Sequence, residues 1–378
     1  MTPIYLDNAA STRVSDDVLA LMTEVMRTAW GNPSAQHPQG AAARTQIEAA
    51  RGRLLAALGD AGGSKGDIVW TSGCTEADAL AVLGAARVRE GAIVVSSIEH
   101  PAVSAAAARL GDGGRAVIEV APGPDGVLDP ETVAEAAAAA AIVAIVMVQN
   151  EIGIVQPVAA IAAAIRRRAP DCHIHVDAAQ AFGKVPLDVT ALGADSVALA
   201  AHKLHGPKGV GALWLRAGAV LEPLWVGGGQ QRGLRGGTQD APGTAGLGLA
   251  AERAIAALPT ARTRWLELAN IITTKLDASG LPYRQLVPDQ RRAPHILALG
   301  FKGVPAAALR TVLSSRGVYV STGSSCASVD EKPSAVLAAI ELPQDVGMCR
   351  LSFGLDTTAG DVERAISTII EVAATLRK

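Results

Sequence analysis

The chain has 378 residues, of which 49% are hydrophobic and 19% charged, and its 34 basic and 36 acidic residues give a formal net charge of −2. This apolar fraction is sufficient for a buried core and excludes a disordered chain. The balanced charge argues against direct nucleic-acid binding and against adhesion to an anionic membrane, since both need clustered Lys and Arg. The length predicts about two or three domains.

The cysteines and the apolar runs indicate a cytoplasmic protein. Four cysteines in so long a chain argue against a disulfide framework. The absence of a Cys-x-x-Cys pair argues against a structural zinc site. The N-terminus lacks the basic region and apolar core of a signal peptide. The longest apolar run, residues 136–148, is shorter than the roughly 20 residues of a membrane-spanning helix. We interpret it as the end of an Ala-rich helix that leads into a buried strand.

Taken in chain order, short β-rich runs alternate with helical stretches through the first two-thirds of the chain. Several of the β-rich runs are continuously apolar, as expected for strands covered on both faces. The predicted strands are 68–70, 92–96, 116–120, 142–148, 173–177, 196–200 and 210–215. The predicted helices between them are 75–88, 101–110, 130–140 and 158–168. This alternation predicts an α/β fold with a mostly parallel central sheet wrapped by helices.

A Gly-rich segment, residues 227–237, interrupts the alternation and is followed by a long predicted helix at about 244–279. The last part of the chain indicates a smaller α+β unit. Its predicted elements are 296–299, 306–315, 318–321, 350–353 and 361–376. We place the boundary between the two units within the long helix, near residue 255.

Polar residues follow three of the predicted strands, at the sheet edge where open α/β sheets bind ligands. After the first strand, residues 71–76 open a helix with Thr75 as predicted N-cap, and such a terminus either binds a phosphate or is an ordinary capped helix. Residues 173–177 place His173, His175 and Asp177 on one strand face. These three are either metal ligands or buried hydrogen-bonded side chains. No GxGxxG or P-loop pattern occurs.

Lys203 and Cys326 are the candidate nucleophiles. Lys203 follows a strand end between two histidines, and a desolvated lysine there is a candidate for Schiff-base formation, the alternative being a surface lysine. Cys326 lies in a Ser- and Gly-rich loop, a position that favours an accessible, reactive thiol. The other cysteines, Cys74, Cys172 and Cys349, lie at or beside predicted element ends and are interpreted as structural.

Eight short motifs occur in one order along the chain. They are Tyr5-Leu-Asp-Asn-Ala-Ala, Gly31-Asn-Pro-Ser, Thr71-Ser-Gly-x-Thr-Glu76, Asn150-Glu-Ile-Gly153, His175-Val-Asp-Ala-x-Gln180, His202-Lys-x-x-Gly-Pro-Lys-Gly209, Arg232-Gly-x-Arg-x-Gly-Thr238 and Ser324-x-Cys-x-Ser328. Over about residues 4–370 the chain resembles the cysteine desulfurases, pyridoxal 5'-phosphate (PLP) enzymes of the class V aminotransferase superfamily. The resemblance implies a fold-type-I homodimer. It also implies a large PLP-binding domain (15–255) and a small domain (1–14 with 256–378).

The same resemblance implies a role for each matching residue. Lys203 would carry PLP as a Schiff base and act as the catalytic base, Asp177 would pair with the pyridinium nitrogen, and His100 would stack on the ring. The other implied cofactor contacts are Gln180, Asn150, Cys74, Thr75, His202 and Thr238, the last toward the opposite subunit's cofactor. Arg350 would bind the substrate carboxylate, and Asn150 would lie beside that carboxylate. His173 matches no family position, so no metal is expected.

Cys326, on a loop of about residues 321–332, would take the sulfur of L-cysteine as a persulfide, release L-alanine and pass the sulfur to an acceptor protein. Ala200 stands where many relatives carry a phosphate-binding Ser or Thr, and the chain lacks the longer tail of some scaffold-assembly members. The acceptor pathway (iron–sulfur cluster, tRNA, DNA or thio-cofactor) therefore stays open. The alternatives are a selenocysteine lyase or other class V enzyme, a catalytically silent partner protein, and a metal-dependent hydrolase built on the face that carries His173.

Overall fold

The computed structural model describes residues 3–323 and 334–377, and its strands and helices alternate through the first two-thirds of the chain. The strands are β1 (Ile4–Tyr5), β2 (Gly66–Thr71), β3 (Ala92–Ser96), β4 (Val117–Val120), β5 (Ala140–Val146), β6 (His173–Asp177), β7 (Ser196–Ala200), β8 (Gly211–Arg216), β9 (Tyr283–Gln285), β10 (Ile296–Lys302), β11 (Val318–Tyr319) and β12 (Val346–Ser352). The α-helices are α1 (Asp16–Thr28), α2 (Pro38–Ala57), α3 (Cys74–Val88), α4 (Pro101–Asp112), α5 (Pro130–Ala136), α6 (Val158–Arg168), α7 (Val189–Leu192), α8 (Ala241–Ser279), α9 (Ala306–Ser315), α10 (Ala335–Ala339) and α11 (Ala359–Leu376).

The central sheet has seven strands in the order β2-β8-β7-β6-β5-β3-β4. The pairs from β7 through β4 are parallel, whereas β8 is antiparallel to both β2 and β7. The predicted mostly parallel sheet is therefore confirmed. The antiparallel strand follows from the connection between β7 and β8, because residues 201–210 are too few for a crossover to a parallel neighbour.

Consecutive residues of the inner strands pack in two different hydrophobic cores, one on each face of the central sheet. In β3, Val94 packs in the core shared with α2, α6 and the first half of α8, while Ile93 and Val95 pack in the core shared with α3 and α4. This two-sided burial accounts for the continuous apolar runs in the sequence.

A third core lies on the second half of α8, against the antiparallel sheet β12-β10-β9 and α11. Helix α8 joins the cores, since Ala254 belongs to the first and Ala261 to the third. Strand β1 pairs with β11, so the N-terminal segment lies beside the last part of the chain. The division into two domains near residue 255 stays a prediction.

Element bounds differ from the sequence prediction where alanine runs give no stop signal. The predicted helix 130–140 ends as α5 at Ala136, followed by a short 3-10 helix, and Ala140 already pairs with β3. Within residues 3–323 and 334–377, no helix has both the length and the apolar character that crossing a membrane requires.

Candidate active site

Lys203 lies in a 3-10 turn, Ala201–Lys203, directly after β7 at the edge of the sheet. Its Nζ donates hydrogen bonds to the carbonyl oxygens of Ala9 (2.6 Å) and Ala10 (2.9 Å) in the N-terminal segment. Burial and, next, the charge of Arg350 lower the pKa of Lys203 to about 8. A neutral, nucleophilic amine is therefore available close to neutral pH.

Asp177 ends the neighbouring strand β6 and is almost fully buried. Its Oδ1 accepts the backbone N–H of Ala179 at 2.8 Å and lies 3.5 Å from the Sγ of Cys74. Both contacts use the same oxygen, which leaves Oδ2 for a ligand. Burial, with Asp177 and Asp78 close by, raises the pKa of the Cys74 thiol well above its usual range. Cys74 is thus a protonated thiol that lies at the site. Cys172 and Cys349, in contrast, are buried in the hydrophobic cores.

Helix α3 opens at this edge with a cap that differs from the predicted one. The helix begins at Cys74 after Gly73, and the backbone N–H of Ser72 donates to Glu76 Oε2 at 2.6 Å. The prediction of Thr75 as N-cap is therefore wrong: the Glu76 carboxylate, which also binds Arg235, folds back over the helix start. Thr75 is exposed in the first turn, where free backbone N–H groups favour an anion.

The two histidines of β6 form a buried hydrogen-bonded chain. His173 Nε2 and His175 Nδ1 each lie 2.8 Å from Ser196 Oγ, and His175 Nε2 lies 3.1 Å from Asp78 Oδ1. Burial lowers the pKa of His175 to about 3, so the ring is neutral. Of the two interpretations of this face, the contacts favour hydrogen-bonded side chains. In the described ranges, the ligand-type atoms that converge within 4.8 Å belong to Cys74, Asp78 and Asp177 instead.

His100, Gln180 and His202 surround the lysine. His100 caps α4, since its Nδ1 accepts the Ala102 N–H at 3.1 Å, and burial lowers its pKa against the opposing effect of Asp177. Gln180 donates to the same Ala9 carbonyl as Lys203, at 2.7 Å. His202 Nδ1 lies 3.3 Å from Ser11 Oγ, and burial lowers its pKa to about 4. All three imidazole and amide side chains are thus neutral polar groups.

Arg350 lies on β12, in the sheet β12-β10-β9, and faces Lys203 from that sheet. Its Nη2 binds Asp7 Oδ1 and its Nη1 donates to the Asn150 carbonyl, both at 2.6 Å. The Nε is buried and has no hydrogen-bond partner in the part of the chain that the structure describes. The guanidinium is therefore rigidly held, and these two bonds use only two of its five N–H donors.

Two predicted site residues are not among those described above. Thr238 is exposed at the end of the Gly-rich segment, and Cys326 lies outside the described residues. Sequence reasoning did not single out Asp7, Glu99 or the Ala9 carbonyl. Asp7 lies within a recognised motif, but a backbone carbonyl carries no sequence signal at all.

Similarity to known proteins decides the family. The class V aminotransferase family profile matches residues 4–365. A cysteine desulfurase IscS of Methanosarcina thermophila is 35% identical over 380 residues, covering 99% of this chain and 93% of that protein. The chain belongs to the class V aminotransferases, among the cysteine desulfurases.

Solved structures agree with the family. A NifS-like protein superposes with a TM-score of 0.91 at 31% identity, covering 99% of this chain and 100% of that one. SspA in complex with cysteine gives a TM-score of 0.80 at 32% identity, covering 93% and 98%. The predicted family and fold class are confirmed.

Proposed function

We propose that this chain is a PLP-dependent cysteine desulfurase that converts L-cysteine to L-alanine and transfers the sulfur to Cys326. The observation that carries the proposal is the convergence of Lys203 and Asp177 at the sheet edge, with Arg350 facing them from the second sheet. The cysteine bound by SspA, a relative of similar fold, supports L-cysteine as the substrate.

The residues present fit PLP. A lysine with a pKa near 8 suits attachment of an aldehyde, and the free Oδ2 of Asp177 suits a pyridinium nitrogen. His100 would lie against the ring, Gln180 and Asn150 would face its phenolic oxygen, and the start of α3 with Cys74, Thr75 and His202 would hold the phosphate. Bound PLP supplies an electron-withdrawing ring that acidifies the substrate Cα.

The chain's own residues then supply binding and proton transfer. Arg350, whose guanidinium is fixed by Asp7 and Asn150, binds the substrate carboxylate. Lys203 Nζ takes the Cα proton, for which its lowered pKa suits it. The side chain of Ala200, at the end of β7, cannot donate a hydrogen bond to the phosphate. The donors at the start of α3 and His202 must therefore hold it.

Sulfur transfer forms one bond and breaks one. The Cys326 thiolate attacks the substrate sulfur, an S–S bond forms and the C–S bond breaks. The electron pair of that bond stays on carbon, which takes up a proton to give alanine. Cysteine plus the Cys326 thiol thus yields alanine plus a Cys326 persulfide, with no external oxidant, and an acceptor protein attacks the terminal sulfur.

The test is alanine formation from L-cysteine by PLP-loaded protein, with Cys326→Ala beside it. We expect alanine from the wild type and little from the variant, and cofactor absorbance verifies that both are loaded. Full loading without alanine would contradict the activity and favour a silent partner protein. Faster turnover of selenocysteine than of cysteine by the wild type, with no loss in Cys326→Ala, would favour a selenocysteine lyase.

We further propose a cytoplasmic homodimer in which Thr238 reaches the cofactor of the other subunit. The support is the exposure of Thr238 together with that of Trp30 (69%), Trp225 (54%) and Val226 (87%), since a second copy would cover such large apolar side chains. Light scattering should give twice 38.5 kDa. A monomer that binds PLP fully would contradict this role of Thr238.

A further inference from the structure

A second carboxyl group lies behind Asp177. Asp78, in the second turn of α3, is fully buried, and its Oδ1 lies 4.0 Å from Cys74 Sγ, the atom that also contacts Asp177. The other oxygen of Asp78, Oδ2, is buried and has no hydrogen-bond partner within residues 3–323 and 334–377. Two buried carboxyl groups therefore share one thiol.

Asp78 also ends the buried chain that runs through His175 and Ser196 to His173. In each hydrogen bond of this chain, either of the two groups can be the donor. If Asp78 is a neutral acid, it donates to His175 Nε2, His175 Nδ1–H donates to Ser196, and the Ser196 hydroxyl donates to His173 Nε2. If Asp78 is a carboxylate, all three hydrogen bonds reverse and the chain holds one proton fewer. The tautomer of His175 therefore reports the charge of Asp78.

The surroundings decide between these two states. The groups that face Asp78 are Cys74 on its own helix, His175 and Asp177 on β6, and Glu99 after β3; none of them is a cation. A carboxylate here would be desolvated, would lie beside Asp177 and would keep one oxygen without a donor. Burial and the neighbouring Asp177 accordingly raise the pKa of Asp78 well above its usual range.

We propose that Asp78 is a positioning residue that stays a neutral acid donating to His175, so that Asp177 is the carboxylate that carries the negative charge toward the ring nitrogen. The Cys74 S–H then donates to Asp177 Oδ1, at the shorter of its two distances. The role toward Asp177 rests on the proposed function, whereas the protonation of Asp78 does not.

The first test uses the protein without PLP. Infrared spectra at neutral pH should contain the carbonyl band of a protonated carboxylic acid that Asp78→Asn removes, with Glu99→Gln recorded separately to assign its own band. Nitrogen NMR of the histidine rings should place the His175 proton on Nδ1. A His175 proton on Nε2, with no band lost in Asp78→Asn, would overturn the proposal.

The second test uses the loaded protein and a matched pair at Cys74. Cys74→Ser keeps a donor to Asp177 and Cys74→Ala removes it, so PLP should dissociate about three- to tenfold more readily from the alanine variant only. The pH midpoint of the bound cofactor's absorbance should move in the same variant. Equal affinities and midpoints for both variants would overturn the link between Cys74 and Asp177.

Failure of this inference and failure of the proposed function give different results. An ionised Asp78 in the cofactor-free protein contradicts the inference even if the enzyme makes alanine. A protonated Asp78 in a fully loaded protein that makes no alanine supports the protonation of Asp78 and contradicts the desulfurase proposal.

Discussion

Arg350 and Asp7 form an ion pair, with Nη2 and Oδ1 2.6 Å apart, that ties β12 to the N-terminal segment. The arginine side chain is 4% exposed and the aspartate 20%. Because the Asn150 carbonyl engages Nη1, the protein itself orients the guanidinium before any substrate arrives. A carboxylate that binds this guanidinium therefore meets a rigid donor group, which reduces the entropy lost on binding.

Arg350→Lys should raise KM for L-cysteine by about 10- to 100-fold, the effect of losing one hydrogen bond to a charged group, because a lysine cannot contact Asp7, Asn150 and a substrate in one planar arrangement. Steady-state alanine formation measures the change. Arg316→Lys is the control, since Arg316 is exposed and pairs with Glu371. An unchanged KM in Arg350→Lys would show that the substrate carboxylate binds elsewhere.

Attachment of PLP to the cofactor-free protein should accelerate with rising pH, with a midpoint near 8, because only the neutral amine of Lys203 attacks an aldehyde. Borohydride reduction followed by peptide mass spectrometry measures the adduct at Lys203. The exposed Lys302, quantified in the same digest, is the internal control. A midpoint above about pH 10, the ordinary lysine range, would contradict a desolvated amine.

Glu99 should make folding less favourable as pH rises toward 8. Burial raises the pKa of its carboxyl from 4.5 to about 8, although the Ser96 hydroxyl and the Val146 N–H donate to it. Between these two pH values the folded state binds a proton that the unfolded state has lost, so stability falls by at most about 1.4 kcal/mol per pH unit and then levels off.

Urea denaturation of the wild type and Glu99→Gln across this pH range tests the effect. The stability of the wild type relative to the variant should decline as pH rises to about 8, because glutamine cannot titrate. Glu119→Gln, at an exposed position of β4, controls for the loss of a surface charge. Parallel curves for the wild type and Glu99→Gln would mean that Glu99 is already ionised in the folded protein.

Two helical glycines should respond oppositely to alanine. A Cβ on Gly248 of α8 would lie 2.7 Å from the Ala50 Cα of α2, so the helices must separate, at about 1–3 kcal/mol. A Cβ on Gly52 of α2 would meet nothing within 4 Å, and Gly52→Ala should stabilise by about 0.5–1 kcal/mol through helix propensity. Thermal unfolding measures both changes, and equal shifts would refute the close contact.

The sequence was sufficient to locate those strands and site residues that depend on the local pattern of amino acids. The bounds predicted for β3, β6 and β7 match those of the structure. For β3 and β7 the signal was a mostly apolar run, as expected for strands buried on both faces of a sheet. Lys203 and Asp177 followed from the rule that ligands bind beyond strand ends. The roles of Gln180 and His100 came from family resemblance, since nothing in their local sequence distinguishes them.

Long-range contacts were the part that sequence could not supply. The partners of Lys203 are carbonyls of Ala9 and Ala10, more than 190 residues away, and every residue has such a carbonyl. Capping was misassigned at Thr75 because two acidic residues follow it, and only the fold shows that Glu76 turns back while Asp78 points into the core. Helix α2 was not predicted, since only three of its seven buried residues, Ile47, Leu54 and Leu55, have large apolar side chains.

Helix α8 packs in both the first and the third core. Its shape therefore affects the distance between Lys203, which lies beside the first core, and Arg350, whose strand borders the third. Pro259 lies inside this helix, between the parts that the two cores hold, and it deprives the Ile255 carbonyl of its helical donor. The segment beyond the proline is about 30 Å long, so a bend of about 10° there would move its far end by roughly 5 Å. The Asn150–Arg350 hydrogen bond crosses the same gap. The proline therefore marks a place where α8 can bend, whereas the contacts that join the two parts resist a change in the width of the active site. Besides this hydrogen bond, they include the hydrogen bond from the Leu355 N–H to His205 Nε2 and the buried cluster of Val146 and Ile152 with Ala298 and Met348.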